Sequence, residues 1–266
     1  MSINIVIKNQ IKADAFAGIF QHMKLFTDRI NIMFEPTRLY IQSMDSARVS
    51  IFEIYIPAGW FDNYDFTVSG GRTIGVNSTT LYKILSTRDK LQEMQLLFEE
   101  SNDDKLSIHF TSENKSIFDK QFEMSLFDIE AELMEIPPFE TKADFSISSA
   151  NFANIISQLK MFGDSLDIEC NEENILLTSI SQETGKMLVK INIDDLTSYA
   201  INEGETMNIS FSLVNLHNIC MYNKIAKDME ISLTDNFPMK IVYHLDGSTD
   251  ENGARLVFYL APKITD

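Results

Sequence analysis

At 266 residues, 44% of them hydrophobic, the chain is long enough for one large domain or two ordinary ones with packed cores. No stretch approaches the roughly 20 apolar residues of a membrane span, and the N-terminus MSINIVIKNQIK lacks the basic region and long apolar run of a secretory signal, so the expectation is a soluble intracellular protein with no membrane partner. A balance of 22 Lys+Arg against 39 Asp+Glu, formal charge −17, argues against nucleic-acid binding by bulk attraction unless the charges are segregated over the surface.

Apolar residues at helical spacing come first along the chain: Ile11, Ala15, Ile19 and Phe20, with Met23, predict an amphipathic helix. Alternating segments follow, with Ile30, Ile32 and Phe34, then Leu39 and Ile41, then Val49, Ile51 and the run FEIYI, which predict antiparallel strands. Gly70-Gly71 reads as a hairpin turn, and Ser78 is placed to cap a short helix ahead of Leu81. From Phe127 to Phe139 the sequence FDIEAELMEIPPF breaks both periods and is rich in carboxylates and proline, which predicts an extended connector over 127–140. A second helical pattern, Phe152, Ile155, Ile156 and Leu159, is capped by Ser148 or Ser149, and Ser212 caps another ahead of Leu216.

These elements recur. FAGIFQHMKLFTDRINIMFEPTRLYIQSM from Phe16 matches FANIISQLKMFGDSLDIECNEENILLTSI from Phe152 at an offset of 136 without a gap. Phe16 falls on Phe152, Lys24 on Lys160, Asp28 on Asp164 and Ser43 on Ser179. At an offset of 135, Leu81, Ile84, Met94 and Leu96 fall on Leu216, Ile219, Met229 and Ile231, and near 134 Phe122 and Leu126 fall on Leu256 and Leu260. A repeat of this length exceeds solenoid periods, so each copy is expected to be a domain: 1–126, the connector 127–140, and 141–266.

Little in the sequence suggests catalysis. The histidines His22, His109, His217 and His244 are dispersed, Cys170 and Cys220 lie inside apolar patterns without a CxxC spacing, and no GxxxxGK[ST], GxGxxG or GxSxG occurs. Buried reduced thiols and a solvated acidic surface are the expectation, with no metal or cofactor. The helical windows 11–26, 78–90, 149–162 and 212–227 hold eight basic residues but only Asp14 and Asp89 as acids. Helices lining one concave surface could therefore meet phosphates while the outer surface stays negative. Ordinary helix decoration, lysine being a good helix former, is the competing explanation.

At IQSMDSARVSIFEI, GVNSTTLYKIL and the C-terminal VFYLAPKI, in that order, the chain closely resembles the sliding clamps of the proliferating-cell-nuclear-antigen family of eukaryotes and archaea. With the duplication, connector and length, the resemblance covers nearly the whole chain. It implies an α+β DNA clamp fold: two tandem similar domains, each with helices packed on antiparallel sheet, and three subunits joined as a homotrimer into a six-domain ring with helices facing the hole. It further implies a non-enzymatic processivity factor that encircles double-stranded DNA without reading its sequence. Such a ring is opened by a clamp loader and recruits DNA polymerase and other PIP-box proteins for replication and repair. The location implied is the nucleus for a cellular eukaryote or the replication site for a virus, and the many Asn, Ile and Asp residues fit a viral or divergent protist source.

Under this resemblance Lys12, Lys24, Lys83, Lys160 and Lys224 are the candidates to face DNA. Met44, Val49, Leu133, Ile136, Pro238, Tyr259, Ala261 and Pro262 match the pocket that receives a PIP-box peptide. For Met44, Tyr259 and Pro262 taken singly, core packing is the alternative. The strand around 116–122 is expected to pair with that around 186–190 of the next subunit. The chain departs from the family pattern in carrying Arg48 where many relatives have His, and in having neutral residues at Ala17, Ser86, Ser157, Val214 and Met221, positions commonly basic in relatives. Two rival readings remain: a checkpoint-clamp subunit or viral transcription factor of clamp fold that forms no ring by itself, and an enzyme built on the duplicated scaffold.

Overall fold

The computed structural model describes residues 1–128, 133–245, 247, 250 and 252–264. Positions 129–132 of the expected connector lie outside the described residues. Two compact units divide the chain. The first comprises Met1–Ser46, Glu53–Met134 and Ser248–Arg255, and the second Ala47–Phe52, Glu135–Gly247 and Leu256–Asp266.

The first copy runs β1 (Ser2–Ile7), α1 (Gln10–Gln21), β2 (Arg29–Glu35), β3 (Arg38–Met44), β4 (Ser50–Pro57), β5 (Asn63–Phe66), β6 (Arg72–Asn77), α2 (Ser78–Leu85), β7 (Glu93–Glu99), β8 (Lys105–Thr111) and β9 (Lys120–Ser125). Its strands follow the orders β5-β1-β7-β8-β9 and β6-β2-β3-β4. The second copy repeats this element for element: β10 (Ala143–Ser148), α3 (Ser149–Leu159), β11 (Ser165–Cys170), β12 (Asn174–Ser181), β13 (Gly185–Asn192), β14 (Ser198–Ile201), β15 (Met207–Ser212), α4 (Leu213–Cys220), β16 (Asp228–Leu233), β17 (Met239–His244) and β18 (Arg255–Leu260). Its orders are β14-β10-β16-β17-β18 and β15-β11-β12-β13. The fold is therefore α+β, a duplicated arrangement of antiparallel strands with one helix pair per copy.

Period-two alternation forms the strands: Ile3, Ile5 and Ile7 of β1 are buried and their neighbours half-buried. In β4 the buried row is Ser50, Phe52, Ile54 and Ile56, which puts Ile51 on the opposite face from the apolar row of FEIYI. The helices bury equivalent residues. Ala13, Phe16, Phe20 and Met23 recur as Ser149, Phe152, Ile156 and Leu159, all buried and all 136 apart. Ile11, expected on the apolar face, is 79% exposed, because the buried stripe is phased on Ala13 and Phe16 and α1 begins at Gln10.

The caps differ from expectation at one end. Ser148 Oγ accepts from Asn151 N–H and Ser212 Oγ from Asn215 N–H, each at 3.4 Å. For α2 the cap is Asn77, whose Oδ1 accepts from Thr80 N–H at 2.8 Å. Ser78 instead lies inside the helix, fully buried, and donates to Thr27 C=O at 2.9 Å. Gly70-Gly71 is not a hairpin turn: β5 pairs with β1 and β6 with β2, so this turn carries the chain from one sheet to another, with Gly70 at φ +78°.

Cys170 and Cys220 are buried free thiols; burial, with Glu169 adding a little, pushes Cys170 up to about 12 and raises Cys220 as well. Among the described residues no helix is long and apolar enough to cross a membrane.

Candidate functional site

The repeat makes the strand edges informative. β9 ends the first unit's sheet and β13 ends a sheet of the second, so each has one hydrogen-bonding side without a strand neighbour among the described residues. Their repeat counterparts are β18 and β4. Inside the second unit β18 is flanked by Ala47–Phe52: Ala261 N–H donates to Val49 C=O at 2.9 Å, and the Phe52 and Phe258 rings lie 6.3 Å apart. A strand of β9 type therefore meets a segment of β4 type once within the chain, while β9 and β13 keep the same two edges open. The expected 116–122 strand begins only at Lys120; 116–119 belong to the preceding loop. The expected 186–190 strand lies wholly within β13.

The peptide-pocket candidates fall in both units. In the first, Met44 ends β3 half-buried and Leu133 is 55% exposed. The connector backbone beside Leu133 is held by Gln42, which the sequence reading missed. Gln42 Oε1 accepts from Met134 N–H at 2.8 Å and its Nε2 donates to Met134 C=O at 2.9 Å. Buried to 8% exposure, this side-chain amide substitutes for a strand partner.

In the second unit Ile136, Pro238, Tyr259 and Pro262 are half-buried, Val49 is half-buried beside β18, and Ala261 is exposed. The tail continues along β15, with Lys263 N–H donating to Ser210 C=O at 2.8 Å. A cavity of about 920 Å³ opens there, lined by Pro262, Lys263 and Ile264 on one side and by Asp167, Ser210, Asp235 and Asn236 among others. Phe139 stacks on Phe237, beside Pro238, with ring centroids 5.3 Å apart. Lys142 anchors the neighbouring backbone through Glu205 at 2.9 Å and Asp235 at 2.8 Å, and these two hydrogen-bonded carboxylates raise its pKa.

The basic candidates divide into engaged and available groups. Lys12 leans on Trp60, donating to its C=O with the ammonium 5.3 Å from the ring centroid, so the residue is half-buried structure. Arg88, counted in the basic windows, has a side chain only 3% exposed and is consumed by Asp14, Gln10 and the carbonyl of Gln92. Lys24, Lys83 and Lys224 are exposed. Lys160 is half-buried close to His217, whose pKa is lowered by burial and secondarily by that lysine's charge. The helices themselves carry few charges. α3 and α4 contain no Lys, Arg, Asp or Glu, while Lys24 and Lys160 follow the ends of α1 and α3, Lys83 is in the last turn of α2, and Lys224 follows α4. Helix C-termini favour cations through their unpaired carbonyls, which accounts for part of the bias.

Among the described residues no three His, Cys, Asp or Glu side chains stand close enough to hold a metal ion. The described residues present open strand edges, a pinned connector, a braced tail and exposed lysines.

A duplicated α+β unit with two helices per copy defines a clamp-fold protein. The family model described as Rad9 matches residues 16–241, and the chain belongs to that clamp-fold family. It is 27% identical over 230 residues, 85% of each chain, to the proliferating cell nuclear antigen of Chaetomium thermophilum. It is 25% identical over 252 residues to the DNA polymerase sliding clamp of Methanococcus maripaludis, covering 94% of this chain and 95% of that one.

Proposed function

We propose that the chain is a non-enzymatic sliding clamp that closes head to tail into a homotrimeric ring on duplex DNA and recruits polymerases and other PIP-box proteins. The observation that carries this reading is the pair of open edges, β9 and β13, together with their counterparts β18 and Ala47–Phe52 meeting inside the second unit. Heterologous edges of this kind close into a ring when the rotation permits, and closure removes the aggregation hazard of two bare edges. Similarity over most of its length to a protein named DNA polymerase sliding clamp, and to a proliferating cell nuclear antigen, supports the same reading. Exposed Lys24, Lys83 and Lys224 would give phosphate contact without base readout, which suits an object that moves along any sequence.

A second reading is a clamp-fold subunit that does not assemble with itself; the match to a family model described as Rad9 favours it. Sedimentation mass separates the two. A trimer mass, kept on adding a PIP-box peptide that binds, is expected; a monomer at every concentration would remove the homotrimer and leave the second reading.

A further inference from the structure

Two short strands, β5 and its repeat counterpart β14, also end sheets with one side unpaired among the described residues, Tyr64 falling on Tyr199 at an offset of 135. Each tyrosine anchors its strand: Tyr64 donates to the carbonyls of Glu35 and Arg38 at 2.8 and 2.7 Å, and Tyr199 to that of Asn171 at 2.7 Å. At β14, Asn202 N–H donates to Lys142 C=O at 3.1 Å, and the register sets Ala200 opposite Asp144 and Ser198 opposite Ser146. Antiparallel pairing alternates along a strand, so Tyr199 and Ile201 turn their N–H and C=O groups away from β10, toward the free side.

The two edges differ in charge. From Ile191 to Thr206 the chain has no Lys, Arg or Pro, residues that commonly blunt an edge, and it carries Asp194, Asp195, Glu203 and Glu205. The loop at Glu172 and Glu173 is tied to the same place: Glu172 Oε1 accepts from Gly204 N–H at 2.7 Å, and Ile193 N–H donates to Glu173 C=O at 3.4 Å. Glu172, Glu173, Asp194, Asp195 and Glu203 are exposed, and the first two line a cleft of about 360 Å³ with Gly204 and Glu205. Of the nearby bases, Lys190 precedes this stretch on β13, and Lys142 ahead of β10 is already held by Glu205 and Asp235. At β5 the acids from Ile56 to Gly71 are Asp62 and Asp65, and Asp62 is taken up by the N–H groups of Lys8 and Asn9.

We propose that β14 accepts a lysine- or arginine-rich extended segment of a partner protein as an added strand. The outward N–H and C=O groups of Tyr199 and Ile201 supply the pairing, and the surrounding carboxylates select the charge. The same carboxylates repel nucleic acid, and two copies of this edge would set like charges against each other. The site is independent of the ring reading, which uses β9 and β13.

The test is calorimetry of the full chain with a short peptide of alternating lysine and threonine, the same peptide N-methylated at every backbone nitrogen, and its glutamate-for-lysine analogue. Circular dichroism and sedimentation control for folding and mass. The lysine peptide is expected to bind about tenfold more tightly than its N-methylated form, which keeps the charge but has no backbone donors, and the glutamate analogue to give no heat. Ile201→Pro removes one outward N–H without touching the pairing to β10 and should weaken binding about fivefold. The double variant Asp194→Lys, Glu203→Lys should weaken it about tenfold, and Asp65→Lys at the equivalent edge should leave it unchanged. An N-methylated peptide that binds equally well, or an Asp65→Lys loss as large as that of the double variant, would reduce the binding to diffuse attraction and overturn the site. A wild type that binds no lysine peptide would overturn it as well, and an altered sedimentation mass for folded Ile201→Pro would assign the edge to a second copy instead. The oligomeric mass of the wild type tests the clamp reading separately.

Discussion

Gln42 and Gln92 are both buried, and each presents its side-chain amide to the backbone as a neighbouring strand would: Gln42 to Met134, Gln92 to Asp89 and Phe118. A buried donor or acceptor that loses its partner costs more than the bond itself was worth, so these amides are sensitive positions. Gln42→Leu keeps the volume and removes both bonds. Each contributes about 1 kcal/mol, so with both lost amide exchange at Met134 should quicken by roughly thirtyfold while the first unit stays folded; unchanged exchange would mean that Gln42 does not hold the connector. Neither glutamine was legible in the sequence, because a polar residue in an alternating strand or a turn is by default solvent-facing. Burial became visible only when residues 92 positions apart, or in a separate loop, were brought together. Arg88 illustrates the same limit: counted as available positive charge, it is internal structure.

Helices and strands were legible wherever a period ran long enough. Their ends and pairings were less so. Asn77 displaced Ser78 as a cap because the two neighbours have similar capping chemistry and only backbone geometry decides between them. Gly70-Gly71 gives a turn signal but carries no information about which sheet each flanking strand joins. The start of β9 at Lys120 was missed because Asn114, Ser116 and Asp119 organise the preceding residues as a loop with local side-chain bonds. At β13, Leu188→Pro would remove an N–H from an edge strand and restrict its backbone. The expected outcome is loss of trimer mass with retained helical circular dichroism; the same oligomer in sedimentation would show that β13 is not an assembly edge.

For the whole molecule, the duplication was the most legible feature, since ungapped matches at a constant offset need no structural knowledge, and it dictated two copies of one fold. Charge placement was read less well: a formal charge of −17 coexists with exposed Lys24, Lys83 and Lys224 near helix ends, and with Lys12 and Arg88 spent on internal contacts. Only Lys24, Lys83 and Lys224 of the five candidates are exposed, so on the proposed function linear duplex is expected to bind weakly and be released readily by salt. Retention would then depend on encirclement rather than affinity. Each lysine that neutralises a phosphate adds about −0.9 to the slope of log affinity against log salt. Replacing Lys24, Lys83 and Lys160 together by Ala should therefore flatten that slope and weaken duplex binding while leaving sedimentation mass and peptide binding intact. Lys160 tests the distinction most sharply, because it is half-buried beside His217 and repeats the position of exposed Lys24. A triple variant with the wild-type salt slope would identify these lysines as cations placed to satisfy helix C-termini, with duplex contact made elsewhere on the surface.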